Sequence, residues 1–199
     1  GALALGADLP VPVIPLEMAA YTRKENWGAS ETLYQPVRGL LSRQAPAPGT
    51  ERPKRDPAIR PSVNLLGPTK LGFRCRDDVV EIERLLASMG VDVNVVAPLG
   101  ASPRDLQSIP NADANVNLCP EVSDLTCSWL ARTFGMPTIQ TMPMGWGATR
   151  DFIAEVAQVL GLDINIDSVG DSRLPWYSRS IDSTYLTGTR VFVFGDGSP

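Results

Sequence analysis

Cysteine is the residue type in this chain that is best suited to metal binding or nucleophilic chemistry. The three cysteines, Cys75, Cys119 and Cys127, form no Cys-x-x-Cys pair. Three thiolates cannot complete a four-thiolate metal site, and an odd number is untypical of a disulfide framework, so we expect reduced thiols. The chain contains no histidine, which excludes histidine-ligated zinc, histidine-containing triads and an imidazole acid or base. Proton transfer would need Asp, Glu, Lys, Tyr, Cys or a group on the ligand.

Two glycine-rich turns are candidates for binding a phosphate or another anion. Residues 67–72 have the glycine spacing of a phosphate loop, but Phe73 and Arg74 replace the Lys and Ser/Thr that would contact phosphates and magnesium. We therefore interpret this segment as a turn between a strand and a helix. The second turn, residues 143–147, precedes a helix whose free N–H groups could hold an anion, although such a turn more often only sets the helix direction.

The segment 174–188 concentrates aromatic and hydroxyl side chains around one carboxylate, Asp182. An apolar pocket raises the pKa of a carboxyl group toward neutrality, which suits a proton donor. From the residues alone, however, a helix or turn cap is the preferred interpretation of Asp182.

A βαβ unit over residues 62–100 is the element around which these candidates are arranged. An apolar strand over 63–66 ends at Gly67, and Asp78 with Glu81 has the spacing of a capping box, which predicts a helix over 78–89. The helical stripe consists of Val79, Ile82, Leu85, Leu86 and Met89. After Gly90, alternating valines over 91–97 predict a second strand. Two strands joined by a helix are almost always parallel, with a right-handed crossover.

Alternating strand and helix signals continue to Gly161. Ser102 and Pro103, with Asp105 completing a capping box, start a short helix. The predictions after it are a strand over 114–118, a helix over 122–134 carrying Val122, Leu125, Trp129 and Leu130, a strand over 138–141, and a helix through Phe152, Val156 and Leu160. Four β-α repeats predict an α/β fold with a Rossmann-like, mainly parallel sheet.

Composition shifts divide the chain into four segments. Residues 1–45, with a strand over 10–16, a polar loop over 21–28 and a helix over 30–41, are predicted to end a preceding Rossmann-like domain. Residues 46–61 are a proline-rich linker whose basic side chains we expect to be solvated. Residues 62–165 form the central Rossmann-like domain, and 166–199 form a connecting loop and the first strand of a third domain. The first residue is not methionine and the last follows a predicted strand, so we interpret the chain as an internal fragment.

Charge and hydrophobicity exclude some classes of partner. The 199 residues are 43% hydrophobic and 20% charged, with a formal net charge of −4 and a pI of about 4.9, so we expect no nucleic-acid partner. No apolar run approaches the roughly 20 residues of a transmembrane helix, and no signal peptide is recognisable.

Five motifs together resemble the B subunits of light-independent (dark-operative) protochlorophyllide reductases, which are nitrogenase-like enzymes. In chain order these motifs are YTRKENWGA (21–29), NLLGPT with LGFR (64–69 and 71–74), GATRDF (147–152), RLPW (173–176) and DSTYLTG (182–188). Long runs in the family's order are far more specific than a single glycine motif.

The resemblance implies a function in chlorophyll and bacteriochlorophyll biosynthesis for photosynthesis. Such an oxidoreductase reduces the C17=C18 bond of ring D of protochlorophyllide to give chlorophyllide a. Two B subunits assemble with two N subunits into a heterotetramer, and a separate ATP-dependent iron–sulfur reductase component supplies the electrons. The 4Fe-4S cluster of the complex is shared with the N subunit, and the one ligand from the B subunit, an aspartate, would lie upstream of Gly1. Asp182 matches the proton donor of this family. The implied location is the bacterial cytoplasm, or the chloroplast stroma in an alga or plant.

Several positions depart from the family pattern. Pro15, Cys75 and Pro199 stand where members of the family carry histidine, and Cys119 stands for tyrosine. Met144 and Trp146 replace smaller aliphatic residues. Two alternatives remain: a related nitrogenase-like reductase such as chlorophyllide a reductase, and a non-catalytic scaffold subunit of the same fold. The Asp182 motif argues against the related reductase. For the scaffold, the retention of Asp182 among aromatic residues favours catalysis, whereas the replaced histidines favour the scaffold.

Overall fold

Four short, mostly apolar runs of the chain pair into one parallel sheet. The computed structural model describes residues 13–17, 25–47, 49–70, 72–169, 188–190 and 192. Within them the strands are β1 (Ser62–Leu66), β2 (Asp92–Ala97), β3 (Ala114–Asn117) and β4 (Thr138–Ile139), in the spatial order β2-β1-β3-β4. All three pairings are parallel, so the predicted Rossmann-like sheet is confirmed.

Five α-helices accompany the strands in the described ranges. They are α1 (Glu25–Leu41), α2 (Cys75–Ser88), α3 (Pro103–Ser108), α4 (Pro120–Phe134) and α5 (Gly145–Leu160). Three short 3-10 helices cover Ser42–Gln44, Ile109–Asn111 and Ile166–Ser168. Within the described residues, no helix is both long enough and apolar enough to cross a membrane.

One face of the sheet packs against α2 and α5 through apolar side chains. Because successive strand residues point to opposite faces, Val63 and Leu65 of β1 lie on this face together with Ala114 and Val116 of β3. The helices contribute Val79, Leu86, Phe152, Ile153, Val156 and Leu160. We refer to this as the apolar face. The predicted stripe of α2 is on it, with Val79, Leu86 and Met89 buried and Ile82 and Leu85 packed against them.

The opposite face packs against α1, α3 and α4 and contains polar side chains as well as apolar ones. Its apolar cluster comprises Leu33, Val37, Leu41, Leu66, Val95, Ala97, Leu106, Ile109, Ala112, Val122, Cys127, Leu130 and Met136. The strand residues that alternate with those of the apolar face include Asn64, Asn115 and Asn117, which are fully buried. We refer to this as the mixed face.

A β-bulge in β2 changes the alternation on that strand. Val63 pairs with Val93, but the next residue, Asn64, pairs with Val95, so Asn94 is an extra residue in the ladder. The insertion shifts the side-chain alternation by one residue. As a result Val91 and Val93 contribute to the apolar face, whereas Val95 and Ala97 contribute to the mixed face.

The predicted capping box at the start of α2 is wrong. The helix begins at Cys75, three residues earlier, and its N-cap is Arg74 in the left-handed conformation (φ 54°) with no side-chain cap. Asp77 and Asp78 lie in the first turn instead, where negative charge is favourable beside the helix N-terminus. The box at Ser102 and Asp105 is confirmed, since both reciprocal hydrogen bonds form.

The predicted strand over residues 10–16 is absent from its described part. Residues 13–17 have no regular secondary structure and lie along α1. The backbone N–H of Glu17 donates to Gln35 Oε1 at 2.7 Å, and Gln35 Nε2 donates back to the Glu17 carbonyl at 3.0 Å. Helix α1 also begins at Glu25, earlier than the predicted Ser30, so residues 25–28 are helical rather than a loop.

The basic side chains of the linker are not all solvated, contrary to the expectation from composition. The Arg52 guanidinium donates to the carbonyl oxygens of Pro110 and Ala112, and burial lowers its pKa despite the opposing effect of nearby Asp113. Arg55 forms an ion pair with Asp113 at 3.7 Å. The linker is therefore attached to the end of the β2–β3 connection. The assignment of residues 1–45 and 166–199 to neighbouring domains stays a prediction, and the predicted first strand of the third domain lies mainly outside the described residues.

Candidate functional site

The candidate site is the edge of the sheet at which all four parallel strands end. Open α/β sheets bind their ligands beyond the carboxyl ends of the strands. Here the loops that follow β1, β3 and β4 lead into the N-termini of α2, α4 and α5. We call this region the carboxyl edge.

Gly67 is in close contact with the start of α4. Its φ is +114°, and a Cβ atom added to it would lie 2.6 Å from the backbone nitrogen of Cys119 and 2.8 Å from Cys119 Cβ. The Gly67 N–H donates to the Ala97 carbonyl at 2.8 Å. This glycine of the phosphate-loop-like segment therefore serves to let the β1 loop approach the neighbouring β3 loop.

Two of the three cysteines lie at the carboxyl edge. Cys75 is the first residue of α2, Cys119 immediately precedes α4, and both are half-buried. Burial raises the pKa of the Cys119 thiol to about 11, and the neighbouring Cys75 is the next cause of the increase. Burial also raises the pKa of Cys75. Both thiols are thus predominantly protonated at neutral pH, and two of the departures from the family pattern lie at the same edge of the sheet.

The third cysteine lies inside the mixed face. Cys127 is fully buried on α4, and burial raises its thiol pKa to about 12. Within the described residues, no group of three or more His, Cys, Asp or Glu side chains is arranged to hold a metal ion. The side chains that are described therefore do not fit a four-ligand iron–sulfur cluster.

A row of asparagine amides crosses the mixed face beneath the carboxyl edge. Asn94 Nδ2 donates to Asn64 Oδ1 at 2.8 Å, and Asn64 Nδ2 donates in turn to Asn115 Oδ1 at 2.8 Å. The row is tied to the β2–β3 connection, because Asn94 also donates to the Ser108 carbonyl and Asn64 to the Ile109 carbonyl, each at 2.9 Å. We call Asn94, Asn64 and Asn115 the amide row. It links the side chains of three adjacent strands.

A second group of polar contacts lies nearer to the strand ends. Asn117 Nδ2 donates to Gln140 Oε1 at 2.9 Å, which connects β3 with the residue after β4. The Ser123 hydroxyl donates to Asn117 Oδ1 at 2.6 Å and lies 3.1 Å from the Leu66 carbonyl oxygen. These contacts hold the first turn of α4 against the ends of β1 and β3.

Two buried polar atoms of the mixed face have no hydrogen-bond partner among the described groups, namely Asn115 Nδ2 and Thr126 Oγ1. Both residues are fully buried. An unsatisfied buried donor or hydroxyl typically costs about 1–3 kcal/mol. The mixed face thus contains specific hydrogen bonds and also two buried polar atoms whose desolvation is not compensated by a hydrogen bond.

The loop between β4 and α5 is fixed by one carboxylate. Glu155, on the third turn of α5, accepts hydrogen bonds from the backbone N–H groups of Gln140 and Thr141, each at 2.9 Å. Burial raises the pKa of Glu155, but the hydrogen bonds from Thr141 and from the two backbone N–H groups outweigh it, so that the pKa is lowered. Glu155 thereby sets the path of the turn 143–147.

Large apolar side chains are exposed on the loops of the carboxyl edge. Phe73 precedes α2, and Met144 and Trp146 lie at the start of α5. The guanidinium of Arg150, one turn along α5, lies over the Trp146 ring at 5.9 Å. Aromatic, Met and Arg side chains of this kind are suited to contact with a large apolar surface.

The predicted proton donor, Asp182, lies outside the described residues, as do residues 21–24 of the first motif and 173–187 of the last two. Of the described motif segments, 25–29 lies in α1, whereas 64–69, 72–74 and 147–152 belong to the carboxyl edge or to the strand and helix beside it. The role of Asp182 stays a prediction.

Comparison with known proteins identifies the family. The model of the nitrogenase component 1 type oxidoreductases matches residues 3–198, nearly the whole chain. The chain belongs to the nitrogenase component 1 type oxidoreductase family. Three relatives of this family member are each named as the B subunit of a light-independent protochlorophyllide reductase. They come from Halorhodospira halophila (62% identical), Synechococcus sp. strain RCC307 (56%) and Rhodopseudomonas palustris strain BisB5 (55%).

In each comparison the aligned region covers 100% of this chain but only 37–38% of the relative. The chain therefore spans less than two fifths of the length of these relatives. The resemblance inferred from the five motifs is confirmed, because the relatives carry the name of the family that the motifs indicated.

The sequence analysis did not predict the hydrogen bonds of the amide row or those of Glu155. A signal for the row was available, since Asn64, Asn115 and Asn117 occupy alternate positions within predicted buried strands, where asparagine is unusual. Glu155 gave no comparable signal, because a glutamate on an amphipathic helix is ordinarily solvated. The prediction that Leu125 belongs to the buried face of α4 is wrong; it is exposed, and Ser123, Thr126 and Cys127 are buried instead.

Proposed function

We propose that the protein to which this chain belongs is the B subunit of a light-independent protochlorophyllide reductase. The observation that supports this most strongly is the identity of 55–62% to proteins of that name over the entire chain. The reaction would reduce the C17=C18 bond of ring D of protochlorophyllide to give chlorophyllide a.

In this proposal the electrons do not come from the described part of the chain. A 4Fe-4S cluster shared with an N subunit would supply them, with the ligand from the B subunit upstream of Gly1, and a separate ATP-dependent reductase component would recharge that cluster. Two B and two N subunits would form the working heterotetramer. The location would be the bacterial cytoplasm or, in an alga or plant, the chloroplast stroma.

Asp182 is the proposed proton donor. Reducing an alkene adds two electrons and two protons, and a positioned acid delivers a proton to one face of the pigment. A carboxyl group among apolar side chains has a raised pKa, which keeps its proton available at neutral pH. The support for this role is the DSTYLTG sequence over 182–188, which matches the family motif.

The proposal is tested in the reconstituted complex of the full-length protein. Asp182→Ala should leave assembly with the N subunit intact and lower chlorophyllide formation by roughly 10²–10⁴ fold, the usual effect of losing one positioned acid. Asp182→Asn keeps the shape but has no transferable proton, so it should be nearly as inactive. Asp163→Asn, at an exposed acid outside the motif, is the matched control and should retain activity.

Other outcomes would identify the alternatives. If Asp182→Asn restores activity while Asp182→Ala lowers stability, Asp182 is a cap, because asparagine caps about as well as aspartate. Turnover of chlorophyllide a in place of protochlorophyllide would assign the related reductase. Assembly without turnover of either pigment by the wild-type complex would favour a scaffold role.

A further inference from the structure

A short extended segment, residues 13–17, lies along the outer side of α1. We call this segment the strap. On α1, positions spaced four residues apart share one side of the helix, and the row beneath the strap consists of Glu31, Gln35 and Gly39. The residues that α1 buries against the mixed face are Leu33, Val37 and Leu41. They are offset from the row by two positions, or about 200° around the helix, so the strap lies on the side of α1 that faces away from the sheet.

The first attachment point of the strap is the side-chain amide of Gln35. Its Oε1 accepts from the Glu17 N–H at 2.7 Å, and its Nε2 donates to the Glu17 carbonyl at 3.0 Å. Nε2 also donates to Glu31 Oε2 at 2.7 Å. Because an ionised carboxylate only accepts hydrogen bonds, Glu31 fixes which end of the amide is the donor. One oriented side chain thus pairs with both backbone groups of Glu17.

The second attachment point is Gly39, against which the Ile14 side chain packs. A Cβ atom added to Gly39 would lie 2.6 Å from Ile14 Cγ2 and 3.0 Å from Ile14 Cδ1. Glycine inside a helix is less favourable than alanine. Here the missing Cβ leaves the space that the Ile14 side chain occupies, so Gly39 serves the strap at the expense of the helix.

The strap is held locally and contributes little to the core. Of residues 13–17, Ile14 is half-buried and the others are exposed, and none of them belongs to either apolar cluster of the sheet. Ile14 precedes Pro15, and a residue before proline is restricted to extended conformations. The strap therefore loses little conformational freedom when it binds α1. Segments with few buried apolar contacts open at a lower free energy than the core does.

We propose that residues 13–17 are a releasable strap, which detaches from the row on α1 and rebinds while the sheet and the packing of α1 against it stay intact. Residues 18–24 connect Glu17 to the first residue of α1, Glu25. Binding of the strap holds one end of this connection and α1 holds the other. Residues 21–24 of the first family motif belong to the connection, so release of the strap frees the chain on one side of that motif. This inference does not depend on the proposed enzymatic function.

The test is hydrogen exchange of the full-length protein, followed by mass spectrometry with electron-transfer fragmentation, at several urea concentrations below the unfolding transition. The Glu17 amide is compared with that of the fully buried Asn115, whose N–H donates to the Pro137 carbonyl at 2.9 Å. We expect Glu17 to be protected and to exchange at a rate that hardly changes with urea, because local opening exposes little surface. The rate at Asn115 should rise with urea. An equal urea dependence of the two amides, or an unprotected Glu17, would overturn the proposal.

A glycine-to-alanine pair separates the strap from the helix beneath it. Gly39→Ala should accelerate exchange at Glu17 by about tenfold, the effect of losing an interaction worth one hydrogen bond. The same variant should unfold in urea no earlier than the wild type, because alanine favours the helix. Gly28→Ala is the matched control in α1, since a Cβ added there meets nothing within 4 Å, and it should leave exchange at Glu17 unchanged.

Two further variants identify the attachment points. Ile14→Ala in the Gly39→Ala background removes the overlap, so exchange at Glu17 should return toward the wild-type rate. Gln35→Leu removes the amide and should accelerate exchange at Glu17 without affecting Asn115. The proposal fails if Gly39→Ala leaves the Glu17 rate unchanged, or if it accelerates exchange at Glu17 and Asn115 equally. The wild-type comparison decides the outcome even if a variant does not fold.

Discussion

The two faces of the sheet are built from different materials. The apolar face buries Val63, Leu65, Phe152 and Val156 against α2 and α5, with hydrophobic contacts throughout. The mixed face buries Asn64 and Asn115 of the amide row, together with Ser123 and Thr126, among its aliphatic side chains. Helices cover both faces, so the difference is one of chemistry rather than of exposure.

This difference indicates that the two faces have separate roles. The apolar face mainly stabilises the sheet, and the mixed face mainly specifies the register of its strands. Apolar burial stabilises in proportion to area and is tolerant of direction. A row of amides is satisfied only when Asn94, Asn64 and Asn115 stand opposite one another, because a one-residue slip would turn each side chain to the other face. We infer that the mixed face specifies the alignment of the strands on which the carboxyl edge depends, at some cost in polar burial.

The largest effect is expected from a cavity in the apolar face. Phe152→Ala removes a fully buried ring of α5, and the unfolding free energy should fall by about 3–5 kcal/mol, as is usual for phenylalanine truncations in cores. Urea denaturation followed by tryptophan fluorescence measures the loss. Phe73→Ala is the matched control, since Phe73 is 80% exposed, and it should change stability by no more than about 0.5 kcal/mol. Equal effects of the two variants would contradict the assigned core.

A smaller effect is expected from the centre of the amide row. Asn64→Leu keeps the size of the side chain but leaves Asn115 Oδ1 and the Ile109 carbonyl without their donor, so we expect a loss of about 2–3 kcal/mol. Asn111→Leu, at an exposed position, is the control. The same urea measurement applies, and a variant as stable as the wild type would show that the row contributes nothing.

A double-mutant cycle sharpens this prediction. Asn115→Leu alone should cost less than Asn64→Leu, because Asn115 Nδ2 already lacks a partner among the described groups. The Asn64→Leu/Asn115→Leu double variant should cost less than the sum of the two, because it removes both members of one hydrogen bond. Strict additivity would mean that the two amides do not interact.

The comparison of faces also explains what the sequence could reveal of the fold. The apolar face follows simple periods, so the stripe of α2 and the apolar run of β1 predicted the sheet and its helices correctly. The bulge at Asn94 was missed because the local sequence does not distinguish an inserted strand residue from a paired one. The start of α2 was misplaced because its N-cap residue, Arg74, has a left-handed conformation, which side-chain propensity does not reveal.

The site was predicted less completely for a related reason. Family motifs located the β1 loop and the start of α5 at the carboxyl edge, since each follows a strand. Cys75 and Cys119 are 44 positions apart in the sequence, and they lie at the same edge of the sheet because β1 and β3 are adjacent strands. Glu155 was missed because its partners are backbone N–H groups, which carry no mark in the sequence.

Removing a helix cap beside the mixed face should lower the free energy of unfolding by less than the substitutions inside either face do. Ser102→Ala removes the hydroxyl that accepts from the Asp105 N–H at 3.3 Å and donates to Asp105 Oδ2 at 2.7 Å. Since α3 has only six residues, the loss should be about 1 kcal/mol. The pKa of Asp105, lowered mainly by its hydrogen bonds to Ser102, should rise, which an NMR titration would detect. Ser128→Ala, exposed on α4, should have neither effect.

The smallest effect is expected where the polar contact lies at the rim of the sheet rather than inside it. Glu155 binds two backbone N–H groups, much as the amide row binds carbonyls, but water reaches it and weakens the interaction. Its pKa in the folded protein is below the ordinary glutamate value of 4.5, so its contribution to stability is present above about pH 4.5 and is lost as the pH falls through the folded pKa.

We expect the Glu155→Gln variant to be slightly less stable than the wild type at pH 7. Below the folded pKa of Glu155 the two proteins should be equally stable. Urea denaturation at several pH values, with Glu51→Gln at an exposed position as control, measures the difference. A destabilisation of Glu155→Gln that does not change with pH would show that shape rather than charge fixes the loop, as in the uncharged amide row.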